Sequence, residues 1–191
     1  MMSDMTRLID RYVHFEQRVR RWTERWCRPF CTVCPKVCCR FGFCIESRES
    51  AFLTRVAGRF APRSAFSATR GWLSATGCCL VAGRPPVCYE FLCRDIWQTV
   101  AGDPNRRHAL LTASMVVSYV GRRAIGGRHL VEALDADDLK RISTARVMTR
   151  LDEAGEAFRA AVRILDGRSA DAGDLKALTR IASPPPTVAK R

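Results

Sequence analysis

Apolar residues near the start of the chain recur at Met5, Leu8, Tyr12, Phe15, Val19, Trp22 and Trp26. Steps of three and four place them on one stripe of a helix over residues 4 to 26. Ser3 suits the N-cap, and Asp4 suits the positive end of the helix dipole. Arg7, Arg11, Arg18, Arg21 and Arg25 fill the remaining surface. The stripe predicts packing on another helix of the same domain, with coiled-coil pairing as the alternative. Pro29 is expected to end the helix.

The helical period resumes over residues 48 to 60 through Phe52, Leu53 and Val56. Pro62 to Thr69 reads as a connection, and residues 71 to 83 as a short strand or hairpin turning at Gly77. Arg84-Pro85-Pro86 predicts an extended approach to Cys88, after which a helix runs through Ile96, Trp97 and Val100. Asp103-Pro104 opens the next helix, whose broad apolar face carries Leu110, Leu111, Met115, Val116, Tyr119 and Val120. Gly121 and Gly126-Gly127 break it. Asp135 or Asp137 is expected to cap the longest helix, which runs to about Leu165 and ends at Gly167. Its inner face holds Leu139, Ile142, Met148, Leu151, Phe158, Val162 and Leu165. A last helix, Asp174 to Ile181, precedes the tail SPPPTVAKR (183–191), whose composition predicts disorder. The expected fold is mainly α: one helical domain over residues 1–182, with an irregular cysteine-rich segment at 27–93, one short hairpin, and a helical half at 103–182.

Composition supports a packed domain. The 191 residues are 47% apolar and 27% charged, as in ordinary globular proteins. The opening MMSDMTRLIDRYVHFEQRVRRW has no apolar signal core. The longest apolar stretch, Ala109 to Val120, falls short of the roughly 20 residues of a membrane span. A cytoplasmic protein with no transmembrane segment is expected; its oligomeric state is not legible. A formal charge of +13 invites a nucleic-acid partner. However, the excess is almost all arginine spread along the chain, a composition that a GC-rich genome also produces. A contiguous surface of Arg106, Arg107, Arg122, Arg123 and Arg128 would form the nucleic-acid interface.

The cysteines alter this picture. Six of the ten fall within Cys27–Cys44, the rest are Cys78, Cys79, Cys88 and Cys93. In a reducing compartment such a set points to metal ligands, and in an exported protein to disulfides. Thiolates suit zinc and iron–sulfur centres, usually four per centre. The first loop offers Cys31, Cys34, Cys38 and Cys39, and the distant arm offers Cys88 and Cys93. Cys27, Cys44, Cys78 and Cys79 are further candidates. The number of thiolates and the absence of histidine from the loop favour an iron–sulfur cluster over zinc.

The pattern C-x2-C-x3-C-C at 31 to 39, then Gly77-Cys78 and Arg84-Pro85-x-x-Cys88, resembles the YkgJ-like cysteine-cluster family, described as a zinc- or iron-chelating domain. The resemblance covers residues 27 to 93. It implies that Cys31, Cys34, Cys38, Cys39, Cys78, Cys88 and Cys93 are metal ligands. The first motif here is one residue longer than the family's C-x2-C-x2-C-C. The family brings little function with it.

Other chemistry is sparse. Cys27-x3-Cys31-x2-Cys34 has the spacing of radical S-adenosylmethionine enzymes, but follows a long helix and precedes no βα repeat. Cys38-Cys39 and Cys78-Cys79 are candidates for thiol–disulfide chemistry near Lys36 and Arg40. His14 reads as a helix-surface residue, and His108 as either solvated or functional. Glu46, Glu49 and Glu90 form no recognisable acid–base pair. The expected function is metal binding through clustered thiolates. The alternatives are nucleic-acid binding with a structural zinc site, or an iron–sulfur enzyme.

Overall fold

The computed structural model describes residues 3–33, 39–60, 66–74 and 77–184. Helix α1, Asp4–Cys31, carries the predicted stripe. Leu8, Tyr12, Phe15, Val19 and Trp22 are buried, and Ser3 caps the start by accepting from the Thr6 N–H at 3.1 Å. Pro29 does not end the helix but lies within its last turn. Its missing N–H there withholds the helical donor from one more carbonyl, that of Arg25, next to an end whose last carbonyls lack helical donors anyway. Thr32 closes that end, with its backbone N–H and hydroxyl both donating to the Arg28 carbonyl at 3.2 and 2.9 Å.

Helical structure then restarts earlier than the apolar period indicates. Helix α2 is Phe41–Glu49 and α3 is Ala51–Ala57. Ser50 lies between them in extended geometry, and its side chain accepts from the Leu53 N–H at 3.2 Å. Strands β1 (Leu73–Ser74) and β2 (Gly77–Cys78) form the hairpin, antiparallel, with Leu73 opposite Cys78 and Ser74 opposite Gly77. Gly77 opens β2 at φ +112°, a conformation that favours glycine. Pro86 is already helical at φ −53°, so Arg84-Pro85-Pro86 leads into a short helix, α4 (Val87–Glu90), instead of an extended arm. Proline's fixed φ serves a helix start as well as an extended run. The chain breaks at residues 91–93 before α5, Arg94–Gln98.

Helix α6, Pro104–Gly121, starts as predicted: Asp103 accepts from the N–H groups of Asn105 and Arg106 at 2.9 and 3.1 Å. Buried residues occupy most of its circumference, the signature of a central helix. Asp135 caps only α7, Ala136–Lys140, and not the long helix that follows. The chain turns at 141–143, where the Ser143 N–H bonds the Ala124 carbonyl at 3.0 Å, and α8 runs over Thr144–Leu165. Its 22 residues are fewer than the 28 of α1, correcting the expectation of the longest helix. Helix α9, Ala172–Ile181, begins two residues before the predicted Asp174, capped by Asp171. Of the predicted tail, residues 185–191 lie outside the described residues.

The protein is mainly α, a helical domain with a two-stranded hairpin. Helix α6 packs most extensively on α8; α8 also packs on α9 and α1, and α6 on α9. Small residues permit this closeness: Ala109 and Ala113 on α6, and Ala154, Ala157, Ala160 and Ala161 on α8, are all buried. Against this block, α1 holds the cysteine-bearing arm with its opposite flank. Among the described residues no helix is long and apolar enough to cross a membrane.

Candidate metal centre

Four cysteines from three chain segments line one cavity of about 80 Å³. Cys39 stands just before the N-terminus of α2, Cys44 lies on α2, Cys78 on β2, and Cys88 on α4. Leu80, Val87, Phe43 and Arg84 complete much of the wall. Burial pushes the Cys88 thiol up to about 12; Arg84 opposes this, while Cys78, Cys39 and Cys44 add to it. Burial likewise raises Cys44, whose neighbours include Cys78 and Arg84. These are thiols close enough to feel one another's charge in a poorly solvated place.

The hairpin separates the vicinal pair. Successive residues of a strand point to opposite faces, and Cys78 lines the cavity while Cys79 is not on its wall. The Cys79 N–H bonds the Trp72 carbonyl at 2.8 Å, which pins this step of the backbone. Cys44 is brought in by Gly71, in left-handed geometry at φ +62°. A Cβ on Gly71 would lie 2.6 Å from the Cys44 sulfur.

The arm carrying Cys78 and Cys88 is held by a buried carboxylate. Glu16 is fully buried on α1. Its two oxygens accept from the backbone N–H groups of Gly83 and Arg84 and from the Tyr89 hydroxyl, each at 2.8 Å. Burial raises its pKa against the lowering pull of these three hydrogen bonds. One helical turn on, Arg20 donates to the Val81 carbonyl at 3.0 Å and to Glu24 at 2.7 Å. Glu24 in turn takes Arg84 at 3.2 Å. The i, i+4, i+8 row Glu16, Arg20 and Glu24 thus clamps residues 81–84. Gly83 fits at φ +82°, where a Cβ would come 2.7 Å from the Leu53 carbonyl oxygen.

The side chain of Arg84 spans the arm. Its guanidinium donates to the Cys78 and Leu80 carbonyls at 3.0–3.2 Å. Burial alone would lower its pKa, but Cys78, Tyr89, Glu24 and Cys88 more than offset this. It is a fixed positive charge beside two of the cavity's sulfurs, suited to balancing thiolates.

Among the described residues, Cys27, Cys31, Cys79 and Cys93 lie off the cavity wall. Cys27 and Cys31 sit four residues apart, on one face of the last turns of α1. Cys93 is the N-cap residue of α5, partly buried against the core and off the cavity wall. Cys34 and Cys38 lie outside the described residues. Among the described residues, no three Cys, His, Asp or Glu side chains are disposed to hold a single ion as they stand.

The five arginines expected to form a basic surface fall into two groups at opposite ends of α6. Arg106 and Arg107 are in its first turn, and Arg122, Arg123 and Arg128 follow its last. At 1.5 Å per residue the groups stand about 24 Å apart along the axis. Arg106 donates to the Leu165 carbonyl at 3.4 Å, Arg122 lies over the Tyr119 ring, and Arg128 is paired with Asp138. His108 is buried, its Nε2 2.8 Å from the Ala182 carbonyl oxygen, and so belongs to the junction of α6 and α9.

No sequence motif marks Glu16 and Arg84 as a structural pair. The available signal was a glutamate bordering the apolar stripe, beside Phe15 and four residues from Tyr12. No family model, curated protein or solved structure matches this chain.

Proposed function

We propose that this protein binds a metal centre, an iron–sulfur cluster or zinc, through thiolates gathered at the cavity of Cys39, Cys44, Cys78 and Cys88. The observation that carries the reading is their convergence from three separate segments on one cavity wall. The donor set is all sulfur, which suits zinc and iron–sulfur centres. Without a metal, burial raises the Cys88 and Cys44 thiols; a bound cation reverses that preference. Arg84 offsets part of the negative charge that several thiolates accumulate. The resemblance to the YkgJ-like family points to three of these, Cys39, Cys78 and Cys88, and adds Cys31, Cys34, Cys38 and Cys93; Cys44 comes from the cavity alone. An iron–sulfur cluster is preferred because zinc alone needs only four of ten cysteines.

A cluster would supply one-electron chemistry, and zinc would supply a structural crosslink. The test is metal and sulfide analysis with an absorption spectrum on protein purified without oxygen. Iron with sulfide and broad absorption near roughly 400 nm supports a cluster; colourless protein with stoichiometric zinc supports a structural site. Cys78→Ser and Cys88→Ser are expected to lose most of the metal, and Cys79→Ser to retain it. Folded protein containing neither iron nor zinc overturns the proposal.

A further inference from the structure

Away from the cysteines, α1 and α8 border an open groove of about 500 Å³. Arg11, His14, Arg18 and Arg21, spaced three, four and three residues apart, bring one face of α1 to it, and Leu151 of α8 contributes to the opposite side. We infer that this groove, together with Arg159 of α8, which lies off the groove wall but beside Arg18, binds a phosphate-bearing ligand with Arg18 and Arg159 as its principal contacts.

Three observations support this. The first is unbalanced charge. Arg20, Arg59, Arg84, Arg128, Arg163 and Arg180 each lie within salt-bridge distance of a carboxylate. Among the described residues Arg18, Arg21 and Arg159 have no such partner, and Arg11 alone of the groove arginines is paired, with Asp152. The second is Gly155, in the interior of α8. A glycine there is disfavoured relative to alanine, and it has no positive φ to justify it. A Cβ at Gly155 would meet only two neighbours within 4 Å, Arg159 Nη1 at 3.5 Å and Arg18 Nη2 at 3.7 Å. Gly155 is itself buried, and the two guanidinium groups, from different helices, come together over it. A tetrahedral oxyanion making N–H···O contacts of about 2.8 Å to each can bridge them.

The third observation is the character of the lining. Among the described residues every charged or titratable group on the wall is basic, which disfavours a metal cation. Phe15, the aromatic residue of the wall, is buried with the Arg18 guanidinium over its ring, which leaves no face on which a base could stack. Recognition thus rests on phosphate, for which the guanidinium fork is suited. Phosphate of this kind comes from a small phosphorylated molecule or from a nucleic-acid backbone. The inference does not depend on the metal centre.

The experiment uses the full chain and two probes: inorganic pyrophosphate by titration calorimetry, and a fluorescent oligothymidylate by anisotropy at low and physiological salt. The double variant R18Q/R159Q is expected to weaken binding about tenfold or more, as lost charge-assisted hydrogen bonds imply. Gly155→Asp, which supplies an internal carboxylate to the same two arginines, should do likewise. R55Q/R168Q removes two charges from exposed positions outside the groove and should change affinity less than about twofold. Pyrophosphate binding assigns the site to small phosphorylated ligands; binding of the oligonucleotide alone assigns it to a nucleic-acid backbone. If neither probe binds, or if both double variants weaken binding equally, the inference is overturned. Should Gly155→Asp fail to fold, the exposed pair Arg18 and Arg159 decides the matter.

Discussion

The helical block of α6, α8 and α9 and the cysteine arm of residues 39–93 are built on different principles. The block is apolar: its helices bury faces of Leu, Val, Ile, Ala and Phe and hold together by area removed from water. The arm consists of short elements of two to nine residues. No element of that length is stable alone. The arm joins the same core through Phe52, Leu53 and Val56, but residues 81–84, between Cys78 and Cys88, take their course from polar fastenings to α1: the Glu16 carboxylate, the Arg20–Glu24 pair and the guanidinium of Arg84. Apolar packing tolerates small shifts, whereas a hydrogen-bonded clamp fixes where backbone atoms lie. Positioning a cavity of thiols calls for the second.

This contrast can be broken from either side. The largest effect is expected in the block. Leu110→Ala, at a fully buried position on α6, should cost about 3 kcal/mol of global stability, read as a shift of one cooperative denaturant transition. A transition that splits in two would show that block and arm are not a single folding unit. Gly83→Ala strikes the arm instead. It forces a left-handed residue against the Leu53 carbonyl and should cost about 2 kcal/mol. The loss should appear as faster amide exchange in residues 80–90, with protection in α6 and α8 kept; uniform loss of protection would contradict the division.

The clamp itself should be sensitive to pH. Because burial raises Glu16 above its ordinary value, the folded state holds that proton more tightly than the unfolded chain does. Its linked contribution is fully present below the unfolded pKa and is lost as pH rises through the folded one. The stability difference between the protein and Glu16→Gln should therefore move against the wild type as pH rises from about 4.5, by at most about 1.4 kcal/mol per unit. Urea melts at several pH values check this, and a difference growing in favour of the wild type would contradict it. The smallest effect is a gain. Gly155→Ala should stabilise α8 by about 0.5–1 kcal/mol, visible as a modest rise in Tm; a loss would mean that the helices need the glycine to approach.

The same contrast explains what could be read in advance. The α1 stripe and the Asp103-Pro104 start are visible because apolar period and caps are local signals. Asp135 is a true cap, but of a five-residue helix; the turn at 141–143 rests on a bond to Ala124 that no local pattern announces. Pro29 was a sound stop signal overridden by its place in a final turn. His108, next to two arginines, gave no sign of burial beneath Ala182. In the arm, the cysteine spacing marked the segment but not the membership of the cavity wall. Cys44 entered through Gly71, and the facing of Cys78 came from the hairpin register.

The aromatic contacts of Phe158 have a consequence for how the chain comes together. This ring lies 6.5 Å from Phe15 and 5.8 Å from Trp22, so the first helix completes its core with a residue from late in the sequence. All ten cysteines lie between residues 27 and 93 and leave the ribosome before Phe158 is made. A nascent chain synthesised from its N-terminus therefore displays its full complement of thiols while α8, one of the surfaces that will seat α1, does not yet exist. Protection of those thiols from oxidation matters most in that interval.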